Sequence, residues 1–160
     1  MTDVSVADLR FERIFDGSGH EEELYELLRK RQHCISHLRL PSFEQHCAFV
    51  KAHPYRAWFL VKRYNEAMGA VYLGKDNGIG LTAVGLESLV LAASLSFILE
   101  NFDPLPEIKS VRASSFHVNV APSDSLLEDF LRGSGALHIQ STFMIPKNAI
   151  PIAIPKERVA

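Results

Sequence analysis

Apolar positions along this chain fall into blocks of two different periods. Leu9 and Phe11 alternate with Arg10 and Glu12, the period of two that marks a half-buried strand. Ser18 and Glu21 then form a capping-box pattern, and Glu21, Glu22 and Glu23 crowd the positive end of a helix dipole. Leu24, Leu27, Leu28 and Ile35 follow at helical spacing, predicting a first helix with Arg29, Lys30 and Arg31 near its far end. A second helix is expected from Ser42, capped with Gln45, carrying Phe43, Cys47 and Val50 on one face. It stops at His53-Pro54, because the residue before a proline avoids the helical region. Residues 57–62 and 67–73 read as strands joined by a turn at 64–66. Asn77-Gly78 signals a tight hairpin, and 79–84 returns as a third strand. Residues 86–102, apolar almost all round, predict a helix buried against a sheet and broken by Pro104 and Pro106. Phe116, Val118 and Val120 alternate with His117 and Asn119 as a further strand. Ser125 with Glu128 repeats the capping pattern for a short helix, Gly133 and Gly135 stop it, and a last strand is expected over 136–145.

Composition narrows the partners. A chain of 160 residues with 47% hydrophobic residues has enough apolar surface for one ordinary core. A formal net charge of −2 gives no reason to expect nucleic acid or an anionic membrane as partner. The first fifteen residues carry Asp3, Asp8, Arg10, Glu12 and Arg13 without an apolar block, unlike a signal peptide. Residues 88–99 are too short to span a bilayer and read as core. Two cysteines cannot build a disulfide scaffold, which fits a reducing, cytoplasmic setting. The reading is a single domain over 1–146 and an extended tail over 147–160 marked by Pro151 and Pro155.

The order strand, helix, helix, three-stranded meander, buried helix, strand, helix, strand resembles the GNAT N-acyltransferase superfamily over roughly residues 5–146. The stretch from Asn119 through Pro122 into the helix and Gly135 is similar to that superfamily's C-terminal half. The resemblance implies an α+β, three-layer fold: a mixed, mostly antiparallel sheet flanked by about four helices. It also implies acyl transfer from acetyl-CoA, without a metal, to a small-molecule amine acceptor, with a homodimer among the assemblies open to it. A narrower likeness runs through Arg31–His37, Pro41–His46, Phe49-Val50 and His53–Trp58. It resembles a GNAT subgroup of surface-polysaccharide and nucleotide-sugar pathways, where an amino-sugar nitrogen is acylated.

By that resemblance the CoA pyrophosphate lies on backbone amides where the third strand of the meander enters the buried helix, as any anion does at a helix N-terminus. The matching residues are Thr82, Ala83, Val84, Gly85, Leu86, Glu87 and Ser88. The loop is shorter than the superfamily's, keeps only Gly85 of its pattern, and places Glu87 where it repels phosphate. The pantetheine arm would lie between 79–84 and 116–120, expected to run parallel and diverge. Asn119 matches the asparagine of the turn pattern, or simply ties down its own turn. The superfamily's helix tyrosine falls at Leu131, which has no proton to give. His117 is the first candidate for the base that deprotonates the amine, beside the plainer reading of a hydrogen-bonded strand histidine. His37, His46, Tyr55, Arg56 and Trp58 are expected on the acceptor side, Arg56 suiting a phosphate; the plainer reading makes Trp58 core and Arg56 surface.

Two competing readings stay open. One is a GNAT-fold module that has lost catalysis and binds a metabolite or protein. The other is a metal-dependent hydrolase built on His33, Cys34, His37, His46 and Cys47, where His33 and His37 have the i, i+4 spacing of a helical ligand pair.

Overall fold

The computed structural model describes residues 4–35 and 39–148. Strands β1 (Leu9–Arg13), β2 (Ala57–Arg63), β3 (Glu66–Leu73) and β4 (Ile79–Ala83) form one antiparallel sheet in the order β1-β2-β3-β4. Strand periodicity divides the apolar residues between its two faces. Ala57, Phe59, Val61, Val71, Leu73 and Ile79 face α3 (Glu87–Asn101), packing on Val90, Ala93 and Ile98. Trp58 and Leu60 point the other way, against Leu24 and Leu27 of α1 (Glu21–Lys30) and Val50 of α2 (Phe43–Lys51). The result is three layers, helix–sheet–helix, with α4 (Ser125–Gly133) closing the β4 side through Leu127 and Leu131 on Leu91. This is the α+β arrangement expected.

Most expected elements form, and the departures have local causes. Helix α1 begins at Glu21 behind His20, because the Ser18 hydroxyl is taken by the Phe15 N–H at 3.3 Å. It ends at Lys30, well before Ile35, so His33 is not helical. Helix α2 has the predicted capping box between Ser42 and Gln45, but its buried face is His46 and Val50, with Phe43 exposed. Helix α4 is capped by Asp124, whose Oδ1 accepts from the Leu127 N–H at 3.1 Å; Glu128 instead pairs with Arg132. Its other end closes with Gly135 at φ +86°, while the Ala136 and Gly135 N–H groups donate to the Leu131 and Arg132 carbonyls.

Two expected strands do not form as ladders. Residues 116–120 lie beside β4 through one parallel bridge, Gly78 with His117, and then part from it. Residues 136–145 carry no regular structure and are exposed. An edge becomes a strand only where a second strand meets it, and none of the described residues meets either segment along its length. Of the expected tail, residues 149–160 lie outside the described residues.

Candidate functional site

The β3–β4 turn is tied to segments far from it in sequence. Asn77 sits at φ +69°, as the Asn-Gly signal predicts, and is fully buried. Its Nδ2 donates to the carbonyls of Leu105 and Ala113 at 3.0 and 2.9 Å, and its Oδ1 accepts from the Leu105 N–H at 2.7 Å. The same turn receives 116–120: the His117 N–H donates to the Asn77 carbonyl and the Ile79 N–H to the His117 carbonyl. His117 therefore stands over Gly78, with Nε2 3.7 Å from Asp76 Oδ2. Asp76 is a partner that sequence reading missed; only its place beside the Asn-Gly turn could have signalled it.

Next to this pair the Tyr72 ring lies flat over Gly80, its cross-strand partner, so closely that a Cβ at Gly80 would overlap the ring. Tyr55 stacks on Tyr72 with ring centroids 4.0 Å apart, and Trp58, His53 and Phe49 continue the aromatic wall. Burial pushes the Tyr55 phenol up to about 12, and burial followed by the Asp76 charge pushes Tyr72 up. Both rings stay neutral at ordinary pH. Arg31 faces both tyrosines and has a buried Nε with no hydrogen-bond partner among the described residues.

A cleft of about 230 Å³ runs along the free edge of β4. Lys30, Arg31 and His33 border one side, Leu81 to Val84 with Glu87 the floor, and Asp124 with Leu127 the other side. Because the Ile79 N–H points outward to His117, strand alternation turns the backbone groups of Leu81 and Ala83 the same way, into the cleft. The Val84 N–H turns inward to the Met68 carbonyl at 2.7 Å. His33 Nδ1 and Ser123 Oγ share a hydrogen bond of 2.8 Å that ties the α1–α2 connection to the α4 turn. A hollow of about 500 Å³ at another part of the surface, bordered by Ala7, Asp8, Arg10, Tyr64 and Asn65, is lined by neither histidine nor cysteine.

Where β4 enters α3 the chain makes two successive left-handed residues, Gly85 at φ +78° and Leu86 at φ +50°. The helix has no side-chain cap; instead the Glu87 carboxylate turns back and accepts the Gly85 N–H at 3.2 Å. Thr82 and Ala83 lie on β4 and its end, Val84 to Leu86 in the turn, Glu87 and Ser88 in the first helical turn.

The remaining expected residues scatter. Asn119 is exposed and makes no side-chain hydrogen bond among the described residues. His46 is buried, its Nε2–H donating to the Glu21 carbonyl at 2.9 Å, and burial lowers its pKa; it fastens α2 to α1 and does not face the cleft. Arg56 donates to the Asp103 carbonyl at 2.8 Å and lies over Phe102, and Trp58 is core. His37 lies outside the described residues. Among the described residues no three His, Cys, Asp or Glu side chains gather where they could hold a metal ion, and no helix is long and apolar enough to cross a membrane.

No protein-family model matches the sequence, and no curated protein does. Solved structures match over nearly the whole chain. The aminoglycoside N-acetyltransferase AAC(6')-Iy in complex with CoA superposes with a TM-score of 0.59 at 12% identity, covering 93% of this chain and 99% of its own. An integron cassette protein from the mobile metagenome of V. cholerae gives 0.59 at 7% identity over 88% of this chain and 94% of its own. An aminoglycoside acetyltransferase from an uncultured soil metagenomic sample, in complex with sisomicin, gives 0.53 at 14% identity over 90% and 98%. The chain has the GNAT fold. Identities this low speak for the fold alone, and the GNAT acyltransferase chemistry must be argued from the residues above.

Proposed function

We propose that this GNAT-fold domain, spanning residues 1–146, is an N-acetyltransferase that moves an acetyl group from acetyl-CoA to the amine of an amino sugar. The observation that carries the reading is the free edge of β4: Leu81 and Ala83 present unpaired amides and carbonyls along the cleft, close to the His117–Asp76 pair. Such an edge suits an extended arm that itself contains amide groups. Acetyl-CoA supplies an activated thioester. In this reading Leu81 and Ala83 bind the pantetheine arm, and the α3 turn and the cations of Lys30 and Arg31 face its phosphates.

The acceptor end lies toward Gly78, roughly 10 Å along the strand from Leu81. His117 takes the ammonium proton, with the Asp76 carboxylate 3.7 Å from its Nε2. The freed amine attacks the thioester carbonyl, and the amide forms as the thiolate leaves. Leu131 has no proton for that thiolate, so the proton that the nitrogen sheds on becoming an amide reaches it through water. Tyr55 and Tyr72 give the sugar a half-buried aromatic floor, and neither phenol competes as base near neutral pH. An amino sugar is favoured over a nucleotide sugar because Arg56, the cation that suited a phosphate, is engaged by Asp103 and Phe102. Acetyltransferase neighbours solved with CoA and with sisomicin support the donor and the acceptor class.

Incubating the protein with acetyl-CoA and a panel of amino sugars, including an aminoglycoside, should release free thiol in step with N-acetylated product. Thiol release no faster than the uncatalysed background with every amine would sink the enzyme reading. One observation favours a second reading, a binding module without catalysis. Glu87 already fills the Gly85 amide, and it would oppose a phosphate at that turn.

A further inference from the structure

Tyr72 is set on β3 so that its ring crosses β4. Its cross-strand partner there is Gly80, and antiparallel partners have Cα atoms about 4.5–5.5 Å apart. A Cβ at Gly80 would overlap Cε1 and Cζ of the ring, so the end that bears the hydroxyl has reached the edge strand. Gly80 covers one face of the ring, and Tyr55, stacked with centroids 4.0 Å apart and planes 11° from parallel, covers the other. A ring held on both faces keeps its hydroxyl in one place. Buried tyrosine hydroxyls usually find a partner, as Tyr25 does on the Pro41 carbonyl at 2.9 Å. The Tyr72 hydroxyl has none among the described residues and is open to solvent.

That free donor stands where the proposed reaction needs one. With the pantetheine arm on Leu81 and Ala83 and the acceptor toward Gly78, the thioester carbonyl lies between them, beside Gly80. The Gly80 N–H does not serve it: the Ile79 N–H points outward to His117, so strand alternation turns the Gly80 N–H inward to β3. Burial, followed by the Asp76 charge, keeps the Tyr72 phenol protonated near neutral pH, so it has a hydrogen bond to give.

We propose that Tyr72 is a catalytic residue whose hydroxyl donates to the thioester carbonyl oxygen as that oxygen becomes an oxyanion; the inference rests on the acetyltransferase reading above. The amine nitrogen forms its bond to the carbonyl carbon, and the C=O π pair moves onto oxygen. The phenol donates a hydrogen bond to that oxygen and keeps its proton. When the pair returns to re-form C=O, the C–S bond breaks and its electrons leave with the sulfur as thiolate. A donor fixed before reaction acts on charge that exists only in the transition state, so its gain falls on kcat and not on cofactor binding.

Tyr72→Phe keeps the ring between Gly80 and Tyr55 and removes only the donor. Assayed with acetyl-CoA and an amino sugar, it should lower kcat about 100-fold, the weight of one oxyanion donor, and hold KM for acetyl-CoA within about twofold of wild type. Gly80→Ala, which pushes the ring aside, should cost a similar factor, and should add less than about threefold on top of Tyr72→Phe. If Gly80→Ala does not fold, Tyr72→Phe decides alone. A wild-type kcat in Tyr72→Phe, a loss confined to KM, or two losses that multiply in the double variant would each overturn the role of Tyr72. Thiol release by wild type would still leave the acetyltransferase reading standing in those cases. A wild type that releases no thiol overturns both.

Discussion

The two ends of β4 are built in opposite ways. At the Gly78 end, Asn77 is fully buried and makes three hydrogen bonds to segments far away in sequence. The hairpin, 116–120, and the loop before it are thereby locked around the Asp76–His117 pair. At the Ala83 end the turn into α3 is made from neighbours: two left-handed residues and the Glu87 carboxylate folding back on the Gly85 amide. Distant partners fix geometry because losing any one leaves the others buried and unpaired. A local carboxylate satisfies its amide only until a better anion arrives. The hairpin end is thus preorganised, whereas an anion reaching the helix end would have to displace the Glu87 carboxylate.

The largest effect is expected where preorganisation is deepest. Asn77→Ala should lower stability by about 2–4 kcal/mol, since it strands the Leu105 N–H and the Leu105 and Ala113 carbonyls and puts alanine at positive φ. A thermal melt measures this, and an unshifted Tm would mean the turn is held by other contacts. Next comes chemistry at the same end. His117→Ala should reduce kcat about 100-fold, and Asp76→Asn, which keeps the oxygen that accepts the Gly78 N–H, about tenfold. Tyr72→Phe should leave the shape of the pH–rate profile unchanged, because its phenol is pushed above the neutral range. A profile that moves with Tyr72 and not with His117 would reverse these roles.

At the helix end the effects are smaller. Glu87→Gln should tighten acetyl-CoA up to about fivefold, the weight of one like charge near an exposed helix terminus. The smallest concerns His46, remote from both ends. Its folded pKa lies below 6.5, so the unfolded chain binds the extra proton first. Stability is then full above pH 6.5 and is lost as pH falls through the folded value. Chemical denaturation from pH 7 to 5 should show this slope in wild type and a shallower one in His46→Gln.

How much of this could be read from sequence follows the same division. The four strands, α2 with its capping box, α3 and the Asn-Gly turn were legible because period and turn chemistry are local signals. Asp76 was not, because pairing with His117 depends on 116–120 crossing the hairpin. His46 and Arg56 look alike as exposed ligands until the structure shows them holding α1 and Asp103. The alternation of 116–120 and 136–145 reports what those side chains could do in a sheet, but a ladder needs a second strand, and none of the described residues meets either segment along its length.

The central claim is that the cleft along β4 receives acetyl-CoA. Calorimetric titration of acetyl-CoA into wild type and Glu87→Gln tests it most directly. The account predicts saturable binding by both with dissociation constants below about 1 mM, the upper end of ordinary enzyme affinities, and the variant tighter. No heat of binding from either protein at millimolar acetyl-CoA would contradict it.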